Sequence, residues 1–390
     1  MWRLAGGADI LVCLGSASAG STFLVTEFLQ QLVNGLSVGS IYALIAVGYT
    51  MVYGVLQLIN FAHGDVFMVG AMVGLYAATG QVPPAFPWWL HAAVIAGLFL
   101  ALLVYRLKGR SWRLTLGKLV PLAAIYVLAI PGLLIASTIS KRLSLPTWTA
   151  TIFVLIVTVT LCGVLGYVIE RLAYRPLRNK PRINSLITAI GISLLLEYGG
   201  QNPNVFGATP QPFPAGLVPG IKGALISSHH IVIDRVDALV LGLTLAIMIA
   251  LTFIVLKTRT GLALRAVSYR FDTASLMGVN IDRTISFTFV LGSCLAAVAG
   301  LLYAEKYPSV DPLMGLLPGI KAFVAAVFGG IGNIAGAVIG SLVLGLIEAM
   351  VVGYLPGGSQ YRDGVAFVIL IAILLVKPSG LLGRNVVEKV

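Results

Sequence analysis

Charge is scarce in this chain. Asp, Glu, Lys and Arg together make up 10% of its 390 residues, where a soluble globular chain carries about 25%. Hydrophobic residues make up 58% and the mean hydropathy is +0.98. That balance excludes a soluble domain and leaves a polytopic helical membrane protein. The apolar runs are continuous rather than alternating, which excludes an outer-membrane barrel. Cysteine is nearly absent: Cys13, Cys162 and Cys294 are scattered in apolar sequence with no CxxC or metal spacing, and read as small buried hydrophobes. Of the four histidines, His229 and His230 are adjacent in a loop, poor geometry for a metal. No metal site is expected.

Catalytic and nucleotide motifs are missing too. Gly117-Lys118 lacks the upstream glycine spacing and the following Ser or Thr of a Walker A loop. The run Gly330-Ile331-Gly332-Asn333-Ile334-Ala335-Gly336 has its third glycine displaced from a dinucleotide loop and no βαβ context. No Ser-His-Asp or HExxH arrangement occurs, so no catalytic residue is assigned. If energy is spent, another subunit spends it. The formal net charge of +12 follows from the cytoplasmic loops of a membrane protein, which collect Lys and Arg, and not from nucleic-acid binding.

What the sequence has in abundance is membrane-length apolar sequence. A spanning helix needs about 20 apolar residues. Eleven candidates fall at 32–57, 64–80, 86–105, 119–137, 148–170, 184–199, 237–256, 284–304, 320–334, 336–354 and 363–377. Those at 184–199 and 320–334 are short enough to be half-spans. Lys and Arg concentrate in 106–118, 171–183, 257–283 and the C-terminal segment. Each of these follows an odd-numbered helix, so one orientation makes all four cytoplasmic. The first helix then starts outside, the C-terminus ends inside, and 200–236 lies outside. The expected fold is an all-α polytopic membrane protein of 10–11 transmembrane helices. Residues 1–21 read as a leader-like extension of unassigned role, and 22–390 as one transmembrane domain.

Inside this apolar sequence sits a polar cluster, Gln57 to Asp65, which includes Asn60, His63 and Asp65. Hydrocarbon offers no water to an amide, an imidazole or a carboxylate, so such groups face a partner or a wet cavity. A second glycine-rich interruption, Phe328 to Asn333, occupies the corresponding place in the other half. Paired interruptions in two halves point to broken helices, a pseudo-repeat and a central transport site. Close helix packing through small residues also explains part of the glycine count of 44. Path or helix-break candidates are Asn60, His63, Asp65, Asn333, Gly330 and Gly332. Tyr49, Tyr53 and Gln57 join them, a spacing of four placing them on one helix face. For the polar cluster two roles stay open, clamping the broken helix or touching the solute. Glu197 and Glu305 are expected near outer helix ends as rim or gate groups.

The loop 257–283 is long for a cytoplasmic turn. Leu262, Ala266, Ala274 and Met277 lie at helical spacing between charged residues, and Ala274-x-x-x-Gly278 suits a tight helix end. Such a segment lies along the membrane face and docks on a partner.

Several long stretches resemble the permeases of branched-chain amino acid ABC transporters. These are Asn34 to Gly54, Ile59 to Asp65, Glu170 to Arg178, Thr188 to Ser193, Gly261 to Arg283, Lys321 to Asn333 and Pro378 to Val390. They occur in family order and cover about 22–80 and 146–390; the type resembled is the leucine/isoleucine/valine permease rather than its paired second permease. Residues 84–145 look like a two-helix insertion, with Trp88, Trp89 and Trp112 placed for interfacial anchoring. The resemblance implies a transport subunit of the bacterial inner membrane for branched-chain or other neutral amino acids, not an enzyme. It would pair with a second permease, two cytoplasmic ATPases that bind ATP and Mg, and a periplasmic substrate-binding protein. It further implies that Arg270, Asp272, Ala274, Gly278 and Asn280 contact an ATPase. Importers of urea and short amides share these motifs, and a secondary transporter is the reading from a different class.

Overall fold

The computed structural model describes residues 7–80 and 147–383, apart from 179, 204, 215–216, 219, 222, 229–230 and 378, with side chains from Val25 onward. The candidate helices 86–105 and 119–137, the loop 106–118, the three tryptophans of the insertion and His229–His230 lie outside the described residues.

Eleven α-helices are described. They are α1 (Gly7–Leu56), α2 (His63–Thr79), α3 (Thr147–Ile169), α4 (Arg182–Gln201), α5 (Arg235–Lys257), α6 (Arg259–Tyr269), α7 (Phe271–Leu276), α8 (Ile281–Lys306), α9 (Leu316–Gly329), α10 (Ile334–Tyr354) and α11 (Gly358–Val376). Each of the nine candidate spans within the described residues falls on one of them. Seven helices are long and apolar enough to cross a membrane. The helices α2 and α9 are shorter, at 17 and 14 residues. The first helix begins well before its expected start, so the leader-like segment from Gly7 onward continues α1 without a break.

Small antiparallel pairings dress one end of the bundle. Strand β1 (Gln211–Pro212) pairs with β4 (Ser309–Val310), and β2 (Ala224–Ser228) with β3 (Ile231–Asp234).

The centre is built from α1, α2, α8, α9 and α10. Lipid removes the hydrophobic drive between helices, so close packing must come from small side chains. Gly35 and Gly39 on α1 face α10; a Cβ on them would sit 2.7 Å from Leu346 Cα and 2.8 Å from Leu342 Cα. Gly70 on α2 meets Ala297 of α8 in the same way, at 2.7 Å from its Cα. By contrast α3, α4, α5 and α11 show large apolar side chains on their outer faces, such as Ile156, Leu195, Phe253 and Leu375. Those surfaces suit hydrocarbon, or a membrane partner, but not water.

The segment 257–283 folds as two short helices joined at Arg270 and tied to both neighbours by caps. Thr258 Oγ1 accepts from Gly261 N at 3.1 Å, and Asn280 Oδ1 accepts from Arg283 N at 3.0 Å. The four apolar residues at helical spacing do not share one face. Leu264, Val267 and Ala274 are buried, while Leu262 and Met277 point outward. Helix periodicity there comprises two short helices with a break between them, so one four-residue spacing does not run through the whole segment.

Candidate functional site

The first interruption begins where α1 ends. Leu56 is the last helical residue, and Gln57 takes a left-handed backbone, φ 52°. That turn takes Gln57 off the helix face expected to carry Tyr49 and Tyr53, and leaves it exposed. The chain then dips back into the bundle. Asn60 is buried, and its Oδ1 accepts the Tyr174 hydroxyl at 2.9 Å. Its carbonyl accepts from His63 N at 3.1 Å as α2 starts. Asn60 therefore anchors the loop to the π-turn Glu170–Tyr174 that follows α3.

His63 is buried between helices. Its ring meets Tyr49 edge-on, with centroids 4.9 Å apart at 66°. Gly48 makes room for it, since a Cβ there would collide with Nε2 of the imidazole. Tyr49 in turn packs against Phe323 of α9, centroids 6.0 Å apart.

Asp65 points the other way. It is 1% exposed and interacts with Ser193 and Glu197 of α4. Glu197, expected at a rim, is 5% exposed and packs into the bundle here. These groups line a cavity of about 190 Å3 together with Tyr49, Phe61 and Leu316. The backbone around it is drawn close, because a Cβ on Gly64 would lie 2.7 Å from Gly315 O and 2.9 Å from Gly319 Cα. Of the sequence candidates, Tyr49 and Asp65 line this cavity; Asn60 and His63 hold its frame.

The second interruption does something different. Gly330 (φ 111°) and Gly332 (φ 92°) turn the chain between α9 and α10. Asn333 caps α10, accepting from Ala335 N at 3.1 Å and Gly336 N at 3.3 Å. Its amide also donates to Leu382 O at 3.0 Å. The chain after α11 lies along this turn, with Leu381 N and Leu382 N donating to Phe328 O and Gly329 O, each at 2.9 Å. The two interruptions approach each other at Gly54 and Gly332, yet Asn333, Gly330 and Gly332 do not line the cavity.

Three ionic clusters were missed by sequence reasoning. Glu170, fully buried, accepts from Arg178 at 2.7 Å and from Ser286 at 2.7 Å, and Arg178 also holds Asp282 at 2.7 Å, as does Arg175. Lys306 pairs with Asp237, which also accepts from Ser37 at 2.6 Å. Glu348 meets Lys321 at 3.0 Å, Arg362 at 3.0 Å and the Tyr42 hydroxyl at 3.1 Å, and Lys321 reaches Asp363 at 2.6 Å. Single charges inside apolar runs, such as Lys321 and Glu348, were the available signal. Among the described residues no three His, Cys, Asp or Glu side chains group as metal ligands.

On the loop 257–283, Gly278 takes a left-handed backbone, φ 81°, and Val279 N closes the turn onto Ala274 O at 3.0 Å. Ala274 is buried, whereas Arg270, Asp272, Gly278 and Asn280 are exposed. Beside them Tyr269, Leu276 and Met277 are at least 80% exposed. Three large apolar side chains thus stand exposed here alongside the charged residues Arg270 and Asp272 and the helix cap Asn280.

Comparison with known proteins agrees with this arrangement. Residues 31–134 and 119–374 match the family described as "Branched-chain amino acid transport system / permease component". The chain is 38% identical over 369 residues to the high-affinity branched-chain amino acid transport system permease protein LivH of Escherichia coli K12, covering 93% of this chain and 98% of that protein. It is 38% identical over 368 residues to BraD, the permease protein of the same name from Pseudomonas aeruginosa, covering 94% and 99%. A probable branched-chain amino acid transport permease LivH of Methanocaldococcus jannaschii is 31% identical over 277 residues, covering 65% and 80%. No solved structure matches.

Proposed function

Because this chain belongs to the family of permease components of branched-chain amino acid transport systems, we propose that it is one membrane subunit of an ATP-driven importer of leucine, isoleucine and valine. The observation that carries this reading is the 38% identity along almost the whole of two such permeases. In this proposal it sits in a bacterial inner membrane with the C-terminal segment and 257–283 in the cytoplasm. A second permease, two ATPases and a periplasmic binding protein complete the system. ATP and Mg bind the ATPases, and hydrolysis happens there.

The geometry suggests how the subunit couples to them. An ATPase docks on Tyr269, Leu276 and Met277, with Arg270 and Asp272 setting the register. Asn280 caps α8, and in the first turn of α8 Asp282 grips Arg175 and Arg178. Arg178 holds Glu170 at the π-turn. Tyr174, in that same turn, holds Asn60. A displacement of α7 thus reaches the first interruption, and with it Asp65 and the cavity, through direct contacts only. When the ATPases close on ATP, this relay reshapes the path between outward and inward access.

The test is co-purification with the ATPases and second permease, then ATP-driven uptake of labelled leucine in proteoliposomes supplied with the binding protein. Gly278→Trp is expected to abolish both ATPase association and uptake. A Cβ there meets nothing within 4 Å, while the left-handed φ of 81° strains any side chain, so bulk and strain both fall on this turn and not on the bundle. Uptake of urea in place of leucine would overturn the substrate. Leucine uptake without any associated ATPase would overturn the importer class in favour of a secondary transporter.

A further inference from the structure

Five acidic side chains are buried among the described residues: Asp65, Glu170, Glu197, Asp237 and Glu348. Removing a carboxylate from water is costly unless a cation and hydrogen bonds replace the water. Three of the five have that replacement inside the protein. Glu170 has Arg178, Asp237 has Lys306, and Glu348 has Lys321 and Arg362. Asp65 and Glu197 have no such cation. They are instead next to each other, a repulsive arrangement for two carboxylates unless a cation or a proton lies with them.

Both line the cavity between α2, α4 and α9, and among the described residues no Lys, Arg or His shares its walls. Asp65 meets Ser193 and the Glu197 carboxyl, but Asp65 Oδ2 and Glu197 Oε1 are buried with no N–H or cationic donor among the described residues. Beyond Tyr49 and Ser193, the other side chains of the wall are apolar, among them Phe61, Leu194, Leu316 and Ile320. The space, about 190 Å3, is several times the roughly 30 Å3 share of one water molecule in the liquid.

We propose that Asp65 and Glu197 form a subsite for the ammonium group of the transported solute, with the apolar wall receiving its aliphatic part. The ammonium supplies the cation that the other three buried carboxylates obtain from Lys or Arg. That the solute is an amino acid rests on the function proposed above; the preference for an organic ammonium rests on this cavity alone.

The test places a thiol in the cavity by Ser193→Cys in a background with Cys13, Cys162 and Cys294 replaced by Ala, using the transporter assembled with its partner permease and ATPases. The rate of modification by the cationic 2-ammonioethyl methanethiosulfonate is compared with that by its anionic 2-sulfonatoethyl counterpart. A cavity lined by one sign of charge concentrates counter-ions, so the cation should react about tenfold or more faster, relative to a free thiol. Leucine and 3-methylbutylamine, which carry the ammonium, should slow the modification; 4-methylpentanoate, which lacks it, should not. Asp65→Asn with Glu197→Gln, nearly isosteric, should bring the rate ratio back to that of a free thiol and remove protection by the amine. ATPase co-purification reports that this variant is folded.

A ratio equal to that of a free thiol, a ratio unchanged in the double variant, an introduced thiol that neither reagent reaches, or modification that 3-methylbutylamine does not slow would each overturn the subsite. The two readings fail separately. Wild-type leucine uptake without protection of the introduced thiol removes the ammonium subsite and keeps the importer. Protection by the amine without leucine uptake keeps the subsite and removes the proposed solute.

Discussion

Glu348 should matter far more to stability than either cation that binds it. Its side chain is 2% exposed, accepts from Arg362 and the Tyr42 hydroxyl, and pairs ionically with Lys321. Glu348→Ala removes all three interactions at once. Lys321, 5% exposed, keeps Asp363 and the Tyr42 ring, 5.9 Å from its ammonium, and Arg362 and Tyr42 lose their acceptor. Removing one partner of a buried ion pair costs about 3–5 kcal/mol, a large share of a typical total stability of about 5–15 kcal/mol. Lys321→Met is milder, because Glu348 retains Arg362 and the tyrosine hydroxyl. Arg362→Gln is mildest. Its side chain is 34% exposed, water screens the loss, and Glu348 retains Lys321, so the cost falls to about 1 kcal/mol or less. The assay is thermal unfolding of the purified permease in detergent, followed by the fraction that stays monodisperse after heating. The expected order of destabilisation is Glu348→Ala, then Lys321→Met, then Arg362→Gln. Equal losses for all three, or Arg362→Gln as damaging as Glu348→Ala, would refute the assignment of Glu348 as the hub.

Three further outcomes are expected. Tyr174→Phe deletes the hydroxyl that Asn60 accepts and leaves a buried amide oxygen unmet, which costs about 1–3 kcal/mol; leucine uptake should fall more than ATPase association, since the docking surface is untouched. Gly48→Ala should displace His63 and lower the melting temperature, and pairing it with His63→Ala should recover part of the loss because the colliding ring is gone. Asn333→Ala removes the cap of α10 and the tether to Leu382, at about 1 kcal/mol, and limited proteolysis should then release the segment after α11 faster than in the wild type.

The helices are legible in the sequence because a run of apolar residues has one stable solution in lipid, whatever its neighbours. The shortness of α9 is legible for the same reason, and so is a break before α2, although it runs over 57–62 and His63 and Asp65 already belong to the helix. The identity of the cavity is not. Asp65 and Glu197 are far apart in the chain, and no local spacing announces that α4 will lay its carboxyl beside α2. Gln57 falls on the face of Tyr53 only if the period of four is carried one residue past the end of α1, where a left-handed turn cancels it. Helical spacing in 257–283 does not say which apolar residues turn inward: Ala274 is buried, while Leu262 and Met277 stand exposed. The isolated charges Lys321, Glu348 and Asp237 are visible in their apolar surroundings, but which charge meets which depends on helix packing and not on order along the chain.

The glycine seam between α1 and α10 sets a constraint on how the molecule can be made. Leu342 and Leu346, which cover Gly35 and Gly39, leave the ribosome roughly three hundred residues after them, a separation that makes the contact slow to form. Until then the small-residue face of α1 is a bare groove in the bilayer, with nothing of its own chain to fill it. A nascent permease that stalls before α10 would carry that groove open. A chaperone or protease of the membrane could recognise an unfinished copy by this exposed strip of glycine and serine, which the finished fold conceals.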